Sequence, residues 1–171
     1  MNALELQEQI KKRAKSLMPD LLEIRHDIHQ HPELSFNEFE TQKKVENYLQ
    51  KLGLSTQKLA NTGVVALIEG KNPQKRCVAL RADMDALPIT EVNDGRAYRS
   101  LNEGVMHACG HDVHTTSLLG AATILNELKE SFEGTVKLVF QPGEEKLPGG
   151  ASLMIADGVL QNPKVDFMIG Q

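Results

Sequence analysis

The sequence predicts an α/β fold in which a mostly parallel or mixed sheet is flanked by helices. Helical and strand patterns alternate along the chain, and short apolar runs are bounded by Gly or Pro. With 171 residues, of which 40% are hydrophobic and 25% charged, the chain is long enough to bury a core. We therefore expect one globular domain or part of one.

Two helices are predicted first. Pro19 is typical of a first helical turn, and apolar residues follow it at helical spacing until Pro32 ends the pattern. Ser35 and Glu38 have the spacing of a capping box, which would open a second helix. That helix carries an apolar stripe and would end at Gly53, because glycine is the usual residue just beyond a helix end.

Strands are predicted next. Residues 63–68 and 77–80 form apolar runs, and the Gly and Pro of residues 70–73 indicate a hairpin or a tight connection between them. The remaining predicted elements are, in order, a helix at 112–130, a strand at 136–140, a short helix at 151–156 and a strand at 165–169.

Composition argues against several classes of partner. The net charge is −4 and no block of Lys and Arg is present, which does not favour nucleic-acid binding. No apolar run approaches the roughly 18 residues that a membrane span needs. The two cysteines have no disulfide-framework spacing, and the first residues do not resemble a targeting signal. We expect no nucleic-acid or membrane partner and a cytoplasmic location.

The most informative feature is the density of metal ligands in two short stretches. Residues 106–114 contain one thiol and three imidazoles, and Glu144 and Glu145 follow about 30 residues later. Cys109 and His111 can both face one ion if the chain between them forms an open turn, which Gly110 permits because it lacks a Cβ. A thiolate combined with imidazole and carboxylate suits Zn²⁺, Mn²⁺, Co²⁺ or Ni²⁺ better than Mg²⁺ or Ca²⁺.

More acidic residues follow the predicted strands directly. Asp83 and Asp85 come after the strand that ends at residue 80, and the acidic pair comes after the strand that ends at residue 140. In open α/β sheets the carboxyl ends of the strands form the edge where ligands gather. We expect these groups to converge there. Asp83 and Asp85 are interpreted as carboxylates that orient a metal-binding imidazole, and His114 as a neighbour of the metal ligands or of the substrate.

Four motifs in this order resemble a known family. They are residues 29–34 (His-Gln-His-Pro-Glu-Leu), 81–88 (Arg-Ala-Asp-Met-Asp-Ala-Leu-Pro), 107–114 (His-Ala-Cys-Gly-His-Asp-Val-His) and 140–145 (Phe-Gln-Pro-Gly-Glu-Glu). Together they resemble the N-terminal half of the metal-dependent amidohydrolases. That family includes hippurate hydrolase, N-acyl-amino-acid amidohydrolases and auxin-conjugate hydrolases, within the aminoacylase and carboxypeptidase superfamily.

The resemblance implies a dinuclear-metal hydrolase. By this resemblance Cys109, His111 and Glu145 are ligands of a site for two divalent ions (Mn²⁺, Zn²⁺, Co²⁺ or Ni²⁺), and Glu144 is the general base. The implied substrates are N-acyl amino acids, or related small conjugates and peptides, whose amide bond is cleaved by a metal-activated water.

The resemblance also implies a domain organisation. Residues 1–171 would be the N-terminal part of the catalytic domain. A lid or dimerisation domain and a C-terminal catalytic segment, with two more histidine ligands, would lie outside this sequence. We therefore expect the 171-residue chain alone to have little or no activity, and the full-length protein to be a homodimer.

Two other functions stay open on the sequence. Cys109 could be the nucleophile of a cysteine hydrolase, although a histidine only two residues away is poorly placed as its base. The chain could also be a non-catalytic or truncated metal-binding protein. For His107, hydrogen bonding within its loop and contact with substrate are both open.

Overall fold

The computed structural model, described for residues 2–171, is a five-stranded mixed sheet flanked by four α-helices. The predicted α/β class is confirmed. The elements are α1 (Ala3–Gln30), α2 (Phe39–Lys51), β1 (Thr56–Leu59), β2 (Gly63–Glu69), β3 (Cys77–Asp83), α3 (His111–Glu127), β4 (Thr135–Gln141), α4 (Gly150–Ala156) and β5 (Phe167–Gly170).

The strand order is β1-β2-β4-β3-β5. β2 is antiparallel to β1 and β4, whereas β3 is parallel to both β4 and β5. Of the two connections predicted at residues 70–73, the hairpin is wrong, because β4 lies between β2 and β3, whereas the short connection between these strands is present. Instead, the backbone of Gly70 and Lys71 forms hydrogen bonds with Phe132 and Gly134, just before β4. A tight connection in sequence does not require that the two strands pair.

Each face of the sheet packs against helices because side chains alternate along β2 and β4. Val64, Ala66, Leu138 and Phe140 belong to the main core cluster, which includes buried residues of α2 and α3. Alternate residues such as Val65 and Val139 belong to a second cluster, together with Ala79 of β3, Met154 of α4 and Val159 just after α4. The two central strands therefore carry buried side chains on both faces, and these include Lys137 of β4.

The first helix begins earlier than predicted. α1 begins at Ala3, where Asn2 and Glu5 form a capping box, and Pro19 lies inside the helix. A proline removes one backbone hydrogen bond of a helix interior. α1 packs along α3, and on the N-terminal side of Pro19 the Arg13 guanidinium makes a bidentate contact with Glu127.

The predicted capping box of the second helix is also wrong. α2 begins at Phe39, and its N-cap residue is Glu38. The Glu38 side chain accepts no hydrogen bond from the first turn of α2. The carboxylate of Glu33 accepts the amide N–H groups of Glu40 and Thr41 instead. Ser35 and Glu38 are both buried and contact other parts of the molecule.

The parallel strands bring the polar motifs to one edge of the sheet. Asp83 at the end of β3 lies opposite Gln141 at the end of β4, and Gly170 of β5 lies opposite Arg81. The residues after β3 and β4 therefore leave the sheet side by side, and the N-terminus of α3 faces them. Within residues 2–171, no helix has the length and apolar character needed to cross a membrane.

Candidate metal centre

The Cys-Gly-His turn lies at the N-terminus of α3. Gly110 is the N-cap residue and has φ of 91°, in the left-handed region that favours glycine. Cys109 precedes the turn and is exposed, whereas His111 is the first residue of the helix and is buried. The turn brings the two side chains to the same side of the chain.

The loop after β4 supplies a third ligand. The Cys109 sulfur, a ring nitrogen of His111 and a carboxylate oxygen of Glu145 all lie within 4.8 Å of one another. The His111 Nε2 atom is 3.8 Å from the Glu145 carboxylate. On the other side of the ring, Nδ1 lies 2.8 Å from the backbone oxygen of Asp85. When Nδ1 donates its proton to that carbonyl, the lone pair of Nε2 faces the thiol and the carboxylate, as in most histidine metal sites.

The protonation of Cys109 depends on its neighbours. A hydrogen bond to Glu145, together with partial burial and nearby acidic groups, raises the pKa of the Cys109 thiol. The free thiol therefore keeps its proton at neutral pH, which makes it a poor nucleophile. A bound cation would reverse this balance, since metal ligation requires the thiolate. The donor set thus fits a borderline divalent ion.

A second group of potential ligands consists of Asp83, His111 and His114. The Asp83 carboxylate already has two partners, because His114 Nδ1 and Arg81 Nη1 each lie 2.7 Å from one of its oxygens. His111 Nε2 has one lone pair, so only one of the two ligand sets can bind an ion through this atom. Cys109, His111 and Glu145 are the better candidate set, and Asp83 is placed to orient His114.

Asp85 connects three motifs of the sequence. Its carboxylate accepts the amide N–H groups of Glu144 and Glu145, each at 3.0 Å, and the hydroxyl of Ser35 at 2.6 Å. Burial alone would raise the pKa of Asp85, but hydrogen bonds from His111, Ser35 and these two amides hold it well below its usual range. The side chain thus holds the acidic loop, and the backbone oxygen of Asp85 is the closer partner of the His111 ring.

A buried charge network lies behind the first turn of α3. Asp112, which follows His111, is fully buried and pairs with Arg25 at 2.7 Å and with His29 at 2.8 Å. The other ring nitrogen of His29 is 3.1 Å from Glu91. No sequence pattern connects these residues with the site. The only signal was the position of His29 at the start of the first motif, because spacing along the chain does not show which partners a buried histidine meets.

His107 is buried beside this network, and neither of its ring nitrogens has a hydrogen-bond partner among the described residues. Burial lowers the pKa of His107 to about 4, so the ring is neutral at pH 7. Of the two roles predicted for His107, the structure of residues 2–171 therefore does not show hydrogen bonding within the loop.

Replacing Asp85 with Asn should loosen the acidic loop. An asparagine has one acceptor oxygen where the carboxylate has two, so one of the two amide N–H groups would face an NH₂ group. We expect the affinity of the full-length protein for Zn²⁺ to fall about 10–100-fold, the range seen when the partners of metal ligands are changed. Competition with a chromophoric chelator measures this. Affinity equal to the wild type would show that Asp85 does not organise the site.

Comparison with known proteins finds relatives that match most of the chain. The family model described as Peptidase family M20/M25/M40 matches residues 79–171. The chain is 44% identical over 164 residues to the N-acyl-L-amino acid amidohydrolase of Geobacillus stearothermophilus, covering 95% of this chain and 43% of that protein. It is 44% identical over 163 residues to the hippurate hydrolase of Campylobacter jejuni, covering 91% of this chain and 41% of that protein.

A solved structure agrees with these matches. The YXEP protein of Bacillus subtilis, described as a dinuclear metal binding peptidase from the M20 family, superposes with a TM-score of 0.84 at 40% identity, covering 91% of this chain and 43% of that one. The chain spans about two-fifths of the length of these relatives. Because the family model covers more than half of the chain and the fold agrees, the chain belongs to Peptidase family M20/M25/M40.

Proposed function

We propose that the full-length protein is a metal-dependent hydrolase that cleaves the amide bond of N-acyl amino acids or of related small conjugates and peptides. Residues 1–171 would be the N-terminal part of its catalytic domain. The observation that carries this proposal is that the ligand atoms of Cys109, His111 and Glu145 lie close together. A second carboxylate, that of Glu144, immediately precedes Glu145 in the sequence. The names of the amidohydrolase and hippurate hydrolase relatives support the choice of substrate class.

Cys109, His111 and Glu145 would hold a divalent ion. Their thiolate, imidazole and carboxylate atoms suit Zn²⁺, Mn²⁺, Co²⁺ or Ni²⁺. Such an ion, when bound, lowers the pKa of a bound water and polarises the scissile carbonyl. A second ion would need ligands beyond these three, since His111 offers one free nitrogen and Asp83 is already paired with Arg81.

Glu144 would act as the general base. Asp85 fixes the amide groups of both Glu144 and Glu145, so their side chains start from a defined backbone. Glu144 is exposed and has no hydrogen-bond or ion-pair partner for its carboxylate among residues 2–171. A free carboxylate beside the metal ligands can take the proton of an attacking water and pass it to the leaving amine.

The alternative of a cysteine hydrolase is less well supported. The pKa of the Cys109 thiol is raised, whereas a nucleophilic cysteine needs it lowered. Two histidines lie two residues from Cys109: His111 has Nδ1 committed to the carbonyl of Asp85, and His107 is buried. A non-catalytic metal-binding protein remains the second candidate, because it would require the same ligands.

Activity measurements on the full-length protein test the proposal. We expect hydrolysis of hippurate or other N-acyl amino acids that is lost with a strong chelator and restored by Zn²⁺, Mn²⁺, Co²⁺ or Ni²⁺. Thiol alkylation of the metal-loaded enzyme should have a smaller effect than chelation, because ligation protects the sulfur. Metal binding without turnover would favour the non-catalytic alternative, and turnover by metal-free protein would favour the cysteine hydrolase. The homodimer and the cytoplasmic location stay predictions.

A further inference from the structure

The segment between α1 and α2 contacts the loop that carries Glu144 and Glu145. The Glu38 side chain is fully buried. One of its oxygens accepts the amide N–H of Gly143 at 2.7 Å and that of Phe36 at 2.9 Å. Its other oxygen accepts the hydroxyl of Thr62 at 2.5 Å. The glutamate that the sequence pattern assigned to a capping box is thus bonded to the acidic loop, 105 residues away along the chain.

Two buried carboxylates hold three successive amide groups of this loop. Glu38 accepts the N–H of Gly143, and Asp85 accepts those of Glu144 and Glu145. Asp85 thus fixes the peptide groups on both sides of Glu144, and Glu38 fixes the peptide group that precedes them. A displacement of about 1 Å at a reacting group can lower a rate about 100-fold. The direction in which the Glu144 side chain leaves the backbone therefore depends on both carboxylates.

The Phe36 ring packs so closely against Gly143 that it also restricts the conformation of the loop. Gly143 has φ of 52°, and a Cβ at this position would lie 2.3 Å from the Phe36 ring. Phe36 itself has φ of 67°, an uncommon conformation for a bulky residue. Such backbone persists only where the surroundings enforce it, and such residues cluster at functional sites. Glu38 bonds to the amide groups of both residues, so one carboxylate holds the two sides of this contact.

Stability alone is a poor explanation for a charge at this position. No Lys, Arg or His side chain described in the structure forms an ion pair with Glu38. Burial raises the pKa of Glu38, and the hydrogen bonds to Thr62 and to the loop only partly offset this. A buried carboxylate without a counter-ion carries a desolvation cost that an apolar side chain would avoid.

We propose that Glu38 is a positioning residue for the general base. Its carboxylate holds the peptide group at Gly143 and thereby sets the direction of the Glu144 side chain. This inference rests on the proposed function. Glu38 does not touch the candidate ligands, so its removal should affect the rate of the chemical step more than metal binding or substrate binding.

A matched pair of glutamates separates positioning from general stabilisation. Glu33 also accepts three hydrogen bonds, but from the amide groups of Glu40 and Thr41 and the Thr41 hydroxyl, at the start of α2. In the full-length, metal-loaded protein we expect Glu38→Ala to lower kcat about 10–100-fold with KM and metal content near wild type. Glu33→Ala should lower the melting temperature yet leave kcat within about 2-fold of wild type.

A conservative variant tests the geometry. In Glu38→Gln, the carbonyl oxygen can accept the Gly143 N–H and the amide can donate to Thr62, so most of kcat should return. If Glu38→Ala does not fold, Glu38→Asp gives the same comparison, because it keeps the charge but shortens the side chain by one methylene.

Amide hydrogen exchange gives a readout that is independent of turnover. Exchange at residues 143–145 should be faster in Glu38→Ala than in wild type and unchanged in Glu33→Ala. Wild-type kcat in Glu38→Ala, equal loss of kcat in both alanine variants, or unchanged exchange at residues 143–145 would overturn the inference. A wild-type protein that hydrolyses no amide overturns the proposed function instead, and the exchange data then still show whether Glu38 holds the loop.

Discussion

Replacing Glu144 with Gln in the full-length protein should remove most amide hydrolysis, by a factor of about 10²–10⁴, the usual contribution of a general base. The substitution keeps the size of the side chain and the backbone N–H that Asp85 accepts. It removes the basic oxygen that would take the proton from water. Steady-state kinetics with an N-acyl amino acid, together with metal analysis of the same preparation, measure the effect.

Metal content should stay near wild type in Glu144→Gln, because Glu145 and not Glu144 groups with Cys109 and His111. Glu130→Gln is a matched control. Glu130 lies in the short helical turn Lys129–Ser131, at the far end of α3 from the site, and should change neither quantity. Near-normal turnover by Glu144→Gln at saturating metal would show that the general-base role is wrongly assigned.

Replacing His111 with Ala should have the largest effect on metal binding. His111 is the buried member of the candidate ligand set, and its ring is held by the backbone oxygen of Asp85. The substitution removes one of the three candidate ligands, which are Cys109, His111 and Glu145. We expect Zn²⁺ affinity to fall by more than about 100-fold, beyond the effect of changing an outer partner. Titration calorimetry on the folded variant measures this.

His31→Ala provides the control for this variant. His31 is exposed at the end of α1, where its ring contacts Asp27, and belongs to neither ligand group. Its replacement should leave Zn²⁺ affinity unchanged. If His111→Ala binds Zn²⁺ as tightly as wild type, the Cys-Gly-His turn is not the metal site.

Much of the local structure could be predicted from the sequence. The helix predicted at residues 112–130 is α3 (His111–Glu127), and the central strand predicted at 136–140 is β4 (Thr135–Gln141). These patterns reflect the spacing of buried residues, which is a local property. The sequence pattern does not predict β1, because two of its four residues are exposed, the other two are half-buried, and the run shows no apolar alternation.

The ligand groups could be proposed from sequence for a similar reason. Cys109 and His111 are separated by one glycine, and Glu144 and Glu145 are adjacent, so each half of the candidate site is encoded in a few residues. Glu144 and Glu145 follow β4 at the edge where strand ends meet, and the N-terminus of α3 brings the Cys-Gly-His turn to the same edge. The roles assigned to the individual residues stay predictions until the variants are measured.

Only the tertiary structure decided the strand order and the partners of the buried acidic groups. The pattern of residues 63–80 is compatible with a hairpin, and the insertion of β4 between β2 and β3 has no local signal. Ser35 and Glu38 have the spacing of a capping box, yet their partners are 50 and 105 residues away. A buried carboxylate must find hydrogen-bond donors wherever the fold supplies them. The sequence by itself determined which chemical groups were present and the local geometry of each short motif, whereas long-range packing determined which of those groups meet.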